Sequence, residues 1–104
     1  MDWLTTEGWS VRRGHRFREA DVVATRGAEE LRAEVKGETS SCGLDADTAW
    51  GQLLRRMTGE PGVVYALVGP PQCVVAFLRV PEAVRRLLGV RVYEVSAEGG
   101  VREV

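Results

Sequence analysis

Two carboxylates and one amine stand at spacings that bring them to a single patch: Asp21, Glu34 and Lys36. From Glu30 to Lys36 the chain alternates strictly, with Leu31, Ala33 and Val35 facing one way and Glu30, Arg32, Glu34 and Lys36 the other. A period of two is the mark of a β-strand, so Glu34 and Lys36 project from the same face. Asp21 opens a β-rich stretch that reaches Thr25, and Arg26-Gly27 marks a turn before the alternating run. A hairpin centred on Gly27-Ala28 sets Arg26 opposite Glu29, Thr25 opposite Glu30 and Asp21 opposite Glu34, whether its loop has two residues or four. Opposed residues hold their Cβ atoms roughly 4.5–5.5 Å apart. Two carboxylates at that distance repel unless a cation lies between them or one takes up a proton.

Such a patch has a chemical use. Mg²⁺, or Mn²⁺ in its place, takes oxygen ligands, commonly one or two carboxylates with water and phosphate. Asp21, Glu34 and the carbonyl of Val35 are the expected ligands. A bound ion acidifies water and offsets charge developing on a phosphate, and Lys36 beside it can orient the water or stabilise the transition state. The chain has thirteen arginines and one lysine, Lys36. Where only positive charge is wanted this sequence uses Arg, so a lone compact ammonium inside the motif adds weight. The competing reading is plain: Glu-x-Lys with alternating charge is how any half-solvated strand looks.

The elements that must carry these groups can be read along the chain. Asp2 to Glu7 gives one or two helical turns ended by Gly8. Trp9 to Arg13 is a short strand, followed by the Asp21 strand and the Glu34 strand. Gly37 to Gly43 is a polar loop. Asp45 is the expected N-cap of a helix running to about Met57, with an apolar stripe of Ala46, Ala49, Trp50, Leu53, Leu54 and Met57. The continuous apolar run Val63 to Val68 predicts a strand buried on both faces. Cys73 to Leu78 fits strand or helix. Pro81 to Leu88 predicts a helix with Gly89 just past its end, Val90 to Val95 a strand, and Gly99-Gly100 a turn into a short tail. The expected class is α/β, a mixed sheet flanked by helices in one domain over 1–104.

Other residues extend the patch. Arg12, Arg13, His15, Arg16 and Arg18 crowd the approach to Asp21 and are candidates for gripping phosphates; the alternative is a solvated basic loop. One member of Arg55-Arg56 is expected to face solvent. Trp3, Trp9 and Trp50 fall on apolar stripes or strands and read as core or dimer contacts. The formal net charge of −1 gives no global argument for nucleic acid. No apolar stretch approaches a membrane span, and the start of the chain lacks the basic-then-apolar pattern of a signal peptide. Cys42 and Cys73 are read as separate thiols, which fits a reducing cytoplasm.

The stretch ADVVATRGAEELRAEVKG resembles the Asp-then-ExK hairpin of the PD-(D/E)xK superfamily, which includes restriction endonucleases and Holliday-junction resolvases. The short first helix, GWSV, the Gly37 that ends the ExK strand, the helix with GQLLRRM and the strand VVYALV follow in the same order. The tail from Val80 is similar to the ending of small bacterial members. The resemblance implies a restriction-endonuclease-like α-β-β-β-α-β core and hydrolysis of phosphodiester bonds, in DNA rather than RNA. It further implies Asp21 and Glu34 as metal ligands, Lys36 as the catalytic lysine and Gln52 as a polar residue facing the site. A homodimer would supply two sites for two strands. Ala20 replaces the motif's Pro, and Glu7 matches no acidic residue of the family's first helix. The second expectation is a non-catalytic module on the same fold that binds nucleic acid or a protein.

Overall fold

The period-two runs become strands and join one sheet. A computed structural model describes residues 2–13, 21–37 and 41–104. Their order is α1 (Asp2–Thr6), β1 (Ser10–Arg13), β2 (Val22–Arg26), β3 (Glu29–Val35), α2 (Cys42–Arg55), β4 (Val63–Gly69), α3 (Pro71–Phe77), α4 (Glu82–Leu88), β5 (Val90–Val95) and β6 (Val101–Glu103). The sheet runs β1-β2-β3-β4-β5-β6 in chain order. β1, β2 and β3 form an antiparallel meander, β4 and β5 add parallel, and β6 closes the far edge antiparallel. The mixed α/β class expected from the sequence is the one observed.

Parallel neighbours need crossovers, and helices supply them. α2 joins β3 to β4, and α3 with α4 joins β4 to β5. Both crossovers step in the same direction across the sheet. A constant hand of crossing then puts their helices on one face. That face holds Ala46, Ala49, Trp50 and Leu53 of α2 against Tyr65 and Leu67 of β4, Val90 and Val92 of β5, and Phe77 of α3. The opposite face is closed by α1, where Leu4 and Trp9 pack on Ala24, Leu31, Ala33, Ala66 and Val68. β4 is buried on both sides, as its unbroken apolar run requires.

Three local expectations are corrected and one left open is decided. α2 begins at Cys42 with Ser41 as its N-cap residue, so Asp45 lies in the first turn instead of capping it. There its charge still favours the positive end of the helix dipole. Leu54, read as part of the apolar stripe, is 45% exposed. The ambiguous 73–78 stretch lies mostly in a helix, α3, with Pro71 at its start and Cys73, Val74, Ala76 and Phe77 buried. The short tail is a strand, β6, three residues being too few to show a period.

Cys42 and Cys73 are also corrected: they form a disulfide, with Cα atoms 4.8 Å apart. The bond ties the first turn of α2 to α3, and the sequence could not foresee it because 31 residues separate the two. Joined in this way, the two cysteines no longer indicate a reducing compartment. No helix among the described residues is long and apolar enough to cross a membrane.

Two glycines are required by geometry. Gly27 turns the β2–β3 hairpin with φ at +60°, where a side chain is strained. Gly69 ends β4 under α3, and a Cβ there would meet the Phe77 ring at 3.0 Å and Cys73 Cβ at 3.3 Å.

Candidate functional site

The hairpin register is the one the turn chemistry demands. Arg26 pairs with Glu29, Thr25 with Glu30 and Val22 with Ala33, so one further step sets Asp21 opposite Glu34. Asp21 stands just before β2, and its Oδ2 accepts a hydrogen bond of 3.0 Å from the Val35 N–H. Its charge and a hydrogen bond both act on the Glu34 carboxyl. The two acids are therefore brought together by strand pairing across the hairpin.

Their surroundings differ. Leu31, Ala33 and Val35 face α1, so Glu30, Arg32 and Glu34 face α2. The polar side of β3 is thus roofed by a helix, where the sequence suggested a half-solvated surface. Glu34 is 1% exposed and is the sole buried charged side chain among the described residues, whereas Asp21 is exposed and Lys36 half-buried. Removal from water, followed by the charge of Asp21, pushes the Glu34 carboxyl up to about 7, against the opposing pull of Arg56.

Arg56 is the residue sequence reasoning missed. It is the C-cap of α2, and its Nη1 forms an ion pair and hydrogen bond with Glu34 Oε1. A signal was available. Arg56 lies three residues beyond Leu53 and seven beyond Ala49, on the buried stripe of the helix. A cation on that stripe, over a strand with acids on its facing side, has somewhere to go. Arg32 meets the same roofed face differently: it pairs with Glu30, approaches Glu60 at 3.9 Å and lies 6.0 Å from the Tyr65 ring.

The remaining candidates are distributed. The Lys36 N–H donates to the Val68 carbonyl at 2.9 Å, which fixes the backbone where β3 ends. Lys36 also lines an open cleft of about 540 Å³. Gln52 is half-buried on α2, one turn before Arg56 and on the same flank. Arg12 and Arg13 are both exposed, and alternation sends them to opposite faces. Arg12, opposite Val23, shares the face of Asp21 and Glu34; Arg13, opposite Val22, lies on the α1 side. His15, Arg16 and Arg18 lie outside the described residues. No group of three or more His, Cys, Asp or Glu side chains suited to a metal ion occurs among the described residues.

The tryptophans serve packing. Trp50 is buried and donates from Nε1 to the Phe77 carbonyl at 3.2 Å. Trp9 is buried beneath the Arg26 guanidinium, 4.4 Å from its ring centre, and Trp3 lies 4.8 Å from Tyr93.

No protein-family model matches the chain, and no curated protein sequence matches it. Solved structures do. An XisH family protein from Nostoc punctiforme PCC 73102 superposes with a TM-score of 0.58 at 24% identity, over 91% of this chain and 85% of that one. An fdxN element excision controlling factor protein from Anabaena variabilis superposes with a TM-score of 0.60 at 22% identity, over 91% and 84%. At these identities the likeness establishes a shared fold.

Proposed function

We propose that this chain is a metal-dependent nuclease of the PD-(D/E)xK kind, acting on DNA, with Asp21, Glu34 and Lys36 as its centre. The observation that carries the reading is the apposition of Asp21 and Glu34 across the hairpin, with Lys36 two residues beyond Glu34. Two acids held together, one of them buried with its carboxyl pushed up, are the kind of arrangement that clusters at functional sites. The donor set suits a hard divalent cation, which commonly takes one or two carboxylates and fills its shell with water and phosphate. Asp21, Glu34 and the Val35 carbonyl would hold Mg²⁺ or Mn²⁺. When bound, such an ion supplies acidified water and neutralises charge on the phosphate.

The chain's own groups divide the remaining work. Asp21 is tied to the Val35 N–H, so its carboxylate is held beside Glu34 before any ligand arrives. Lys36 carries the positive charge that orients a nucleophilic water and meets the developing negative charge of the phosphoryl group. Gln52, one turn from Arg56, is the polar residue of α2 nearest this role. Arg12, on the face of Asp21 and Glu34, with His15, Arg16 and Arg18, supplies contacts to the nucleic-acid backbone, whereas Arg13 faces away from the pair. Self-association into a homodimer gives a second centre for a second strand. The name of one structural neighbour, an fdxN element excision controlling factor protein, agrees with DNA as the substrate. A cytoplasmic setting follows from that substrate, although the Cys42–Cys73 bond runs against the reducing poise of a cytoplasm.

One observation favours a second reading. Arg56 already neutralises Glu34, and an internal cation does what a metal would do for the acidic pair. On that reading the chain is a non-catalytic module on the same fold, binding nucleic acid or a protein. Calorimetric titration with Mn²⁺ separates the two, run beside Glu34→Gln and Lys36→Ala and paired with cleavage assays on single-stranded, duplex and branched DNA. The nuclease reading expects metal binding that Glu34→Gln weakens and cleavage that both variants lose. Wild-type protein that binds no metal at millimolar concentration and cuts none of the substrates would leave the binding module.

A further inference from the structure

The cleft that Lys36 lines is not part of the acidic pair. It opens where β3, β4 and β5 end side by side, bounded by Lys36 after β3, Pro70 and Pro71 after β4, and Val95 and Ser96 at the end of β5. The cleft therefore lies outside the carboxyl ends of three strands that pair in parallel. At about 540 Å³ the cleft falls within the range of about 300–1,000 Å³ that takes one ligand of nucleotide size.

Its chemistry has two halves. Pro70, Pro71 and Val95 supply its apolar lining. Lys36, Gln72 and Ser96 give polar groups around it. Lys36 has no ion-pair partner among the described residues, in a chain where Arg26, Arg32, Arg56, Arg86 and Arg102 each have one. The Ser96 Oγ accepts the Gly100 N–H at 3.0 Å, which fixes the hydroxyl and leaves its proton to donate. An apolar lining with polar groups and one cation beside it suits a nucleobase with its attached phosphate.

We propose that this cleft takes a single unpaired nucleotide of the substrate, its base against Pro70–Pro71 and its phosphate at Lys36, next to the phosphate that Asp21 and Glu34 serve. The inference rests on the nuclease reading for its substrate and narrows it to nucleic acid with an unpaired nucleotide at the cut. A base still stacked in a duplex cannot enter a crevice of this size; a base that is single-stranded or extruded can. Lys36 links the two, since it lines the cleft and follows Glu34 by two residues.

The test uses fluorescence anisotropy of labelled oligonucleotides with Ca²⁺ in place of Mg²⁺ to hold cleavage off. Calorimetry with Mn²⁺ runs in parallel. Ala97→Trp, on the exposed turn at the cleft's edge, fills the cleft; Gln72→Ala removes a polar group and serves if the larger change disturbs folding. The expected result is that wild type prefers a single strand, or a duplex with an unpaired nucleotide, to a fully paired duplex by at least tenfold. Ala97→Trp is expected to lose at least tenfold and Gln72→Ala a few-fold, both with unchanged Mn²⁺ titrations. Equal affinity for the paired duplex overturns the proposal. So does unchanged strand affinity in both variants, and if Mn²⁺ still binds then the nuclease reading survives while the cleft assignment falls. Loss of strand affinity in Ala97→Trp with no Mn²⁺ bound even by wild type supports the cleft as a nucleotide site and removes the nuclease reading instead.

Discussion

Glu34 on β3 and Arg56 at the end of α2 form an ion pair beneath the helical layer, with Glu34 1% exposed and the Arg56 side chain 19% exposed. The pair joins the hairpin that carries the acids to the helix that covers them. Taking ions out of water is costly, and breaking such a pair strands the survivor.

Removing Arg56 should therefore hurt more than removing both charges. Arg56→Ala is expected to lower stability, most at a pH above 7 where the Glu34 carboxyl is ionised in the fold. Arg56→Met combined with Glu34→Gln should recover part of that loss, because no uncompensated charge remains. Denaturant melts of the single and double variants measure this, and a double variant less stable than Arg56→Ala would contradict it.

Stability should also depend on pH through Glu34. Its carboxyl titrates near 4.5 when unfolded and is pushed up to about 7 in the fold, chiefly by burial and then by Asp21. Between those values the folded state holds a proton that the unfolded state releases. Stability is thus fully present below about pH 4.5, falls as pH rises toward 7, and levels off above. The shift corresponds to roughly 3 kcal/mol. Unfolding followed across this window in a chelating buffer should show the decline in wild type, and Glu34→Gln should flatten it. A stability that rises over the same window would refute the assignment.

The Cys42–Cys73 bond closes a span of 31 residues in sequence. The chain-entropy argument gives about 3–4 kcal/mol for a loop of this length. Reduction, or Cys42→Ser with Cys73→Ser, should lower the melting temperature and leave the Asp21–Glu34 register intact, since that register is set by the hairpin. Thermal melts with and without reductant check the first part, and Mn²⁺ affinity of the double variant checks the second.

Gly69 tests the packing of β4 against α3. Gly69→Ala places a methyl where Phe77 and Cys73 already stand at 3.0 and 3.3 Å. Overpacking of this kind costs about 1–3 kcal/mol, and a melt that matched wild type would mean that α3 can shift to make room.

What the sequence determined by itself was local and periodic. A period of two gave β3 and its two faces, and Gly27 with its neighbours gave the turn. Together they set Asp21 opposite Glu34, because hairpin register follows from turn position alone. The unbroken run 63–68 marked β4 as the central strand for the same local reason. Tertiary structure decided which side of β3 would be covered. Alternation divides residues between two faces and cannot say which face meets a helix; the crossover of α2 settled that and turned Glu34 from a surface charge into a buried one. The partner of Glu34 comes from 22 residues away and the partner of Cys42 from 31. Contacts at that range depend on how helices dock on a sheet, and a single sequence carries them only as a cation or a thiol on a buried stripe.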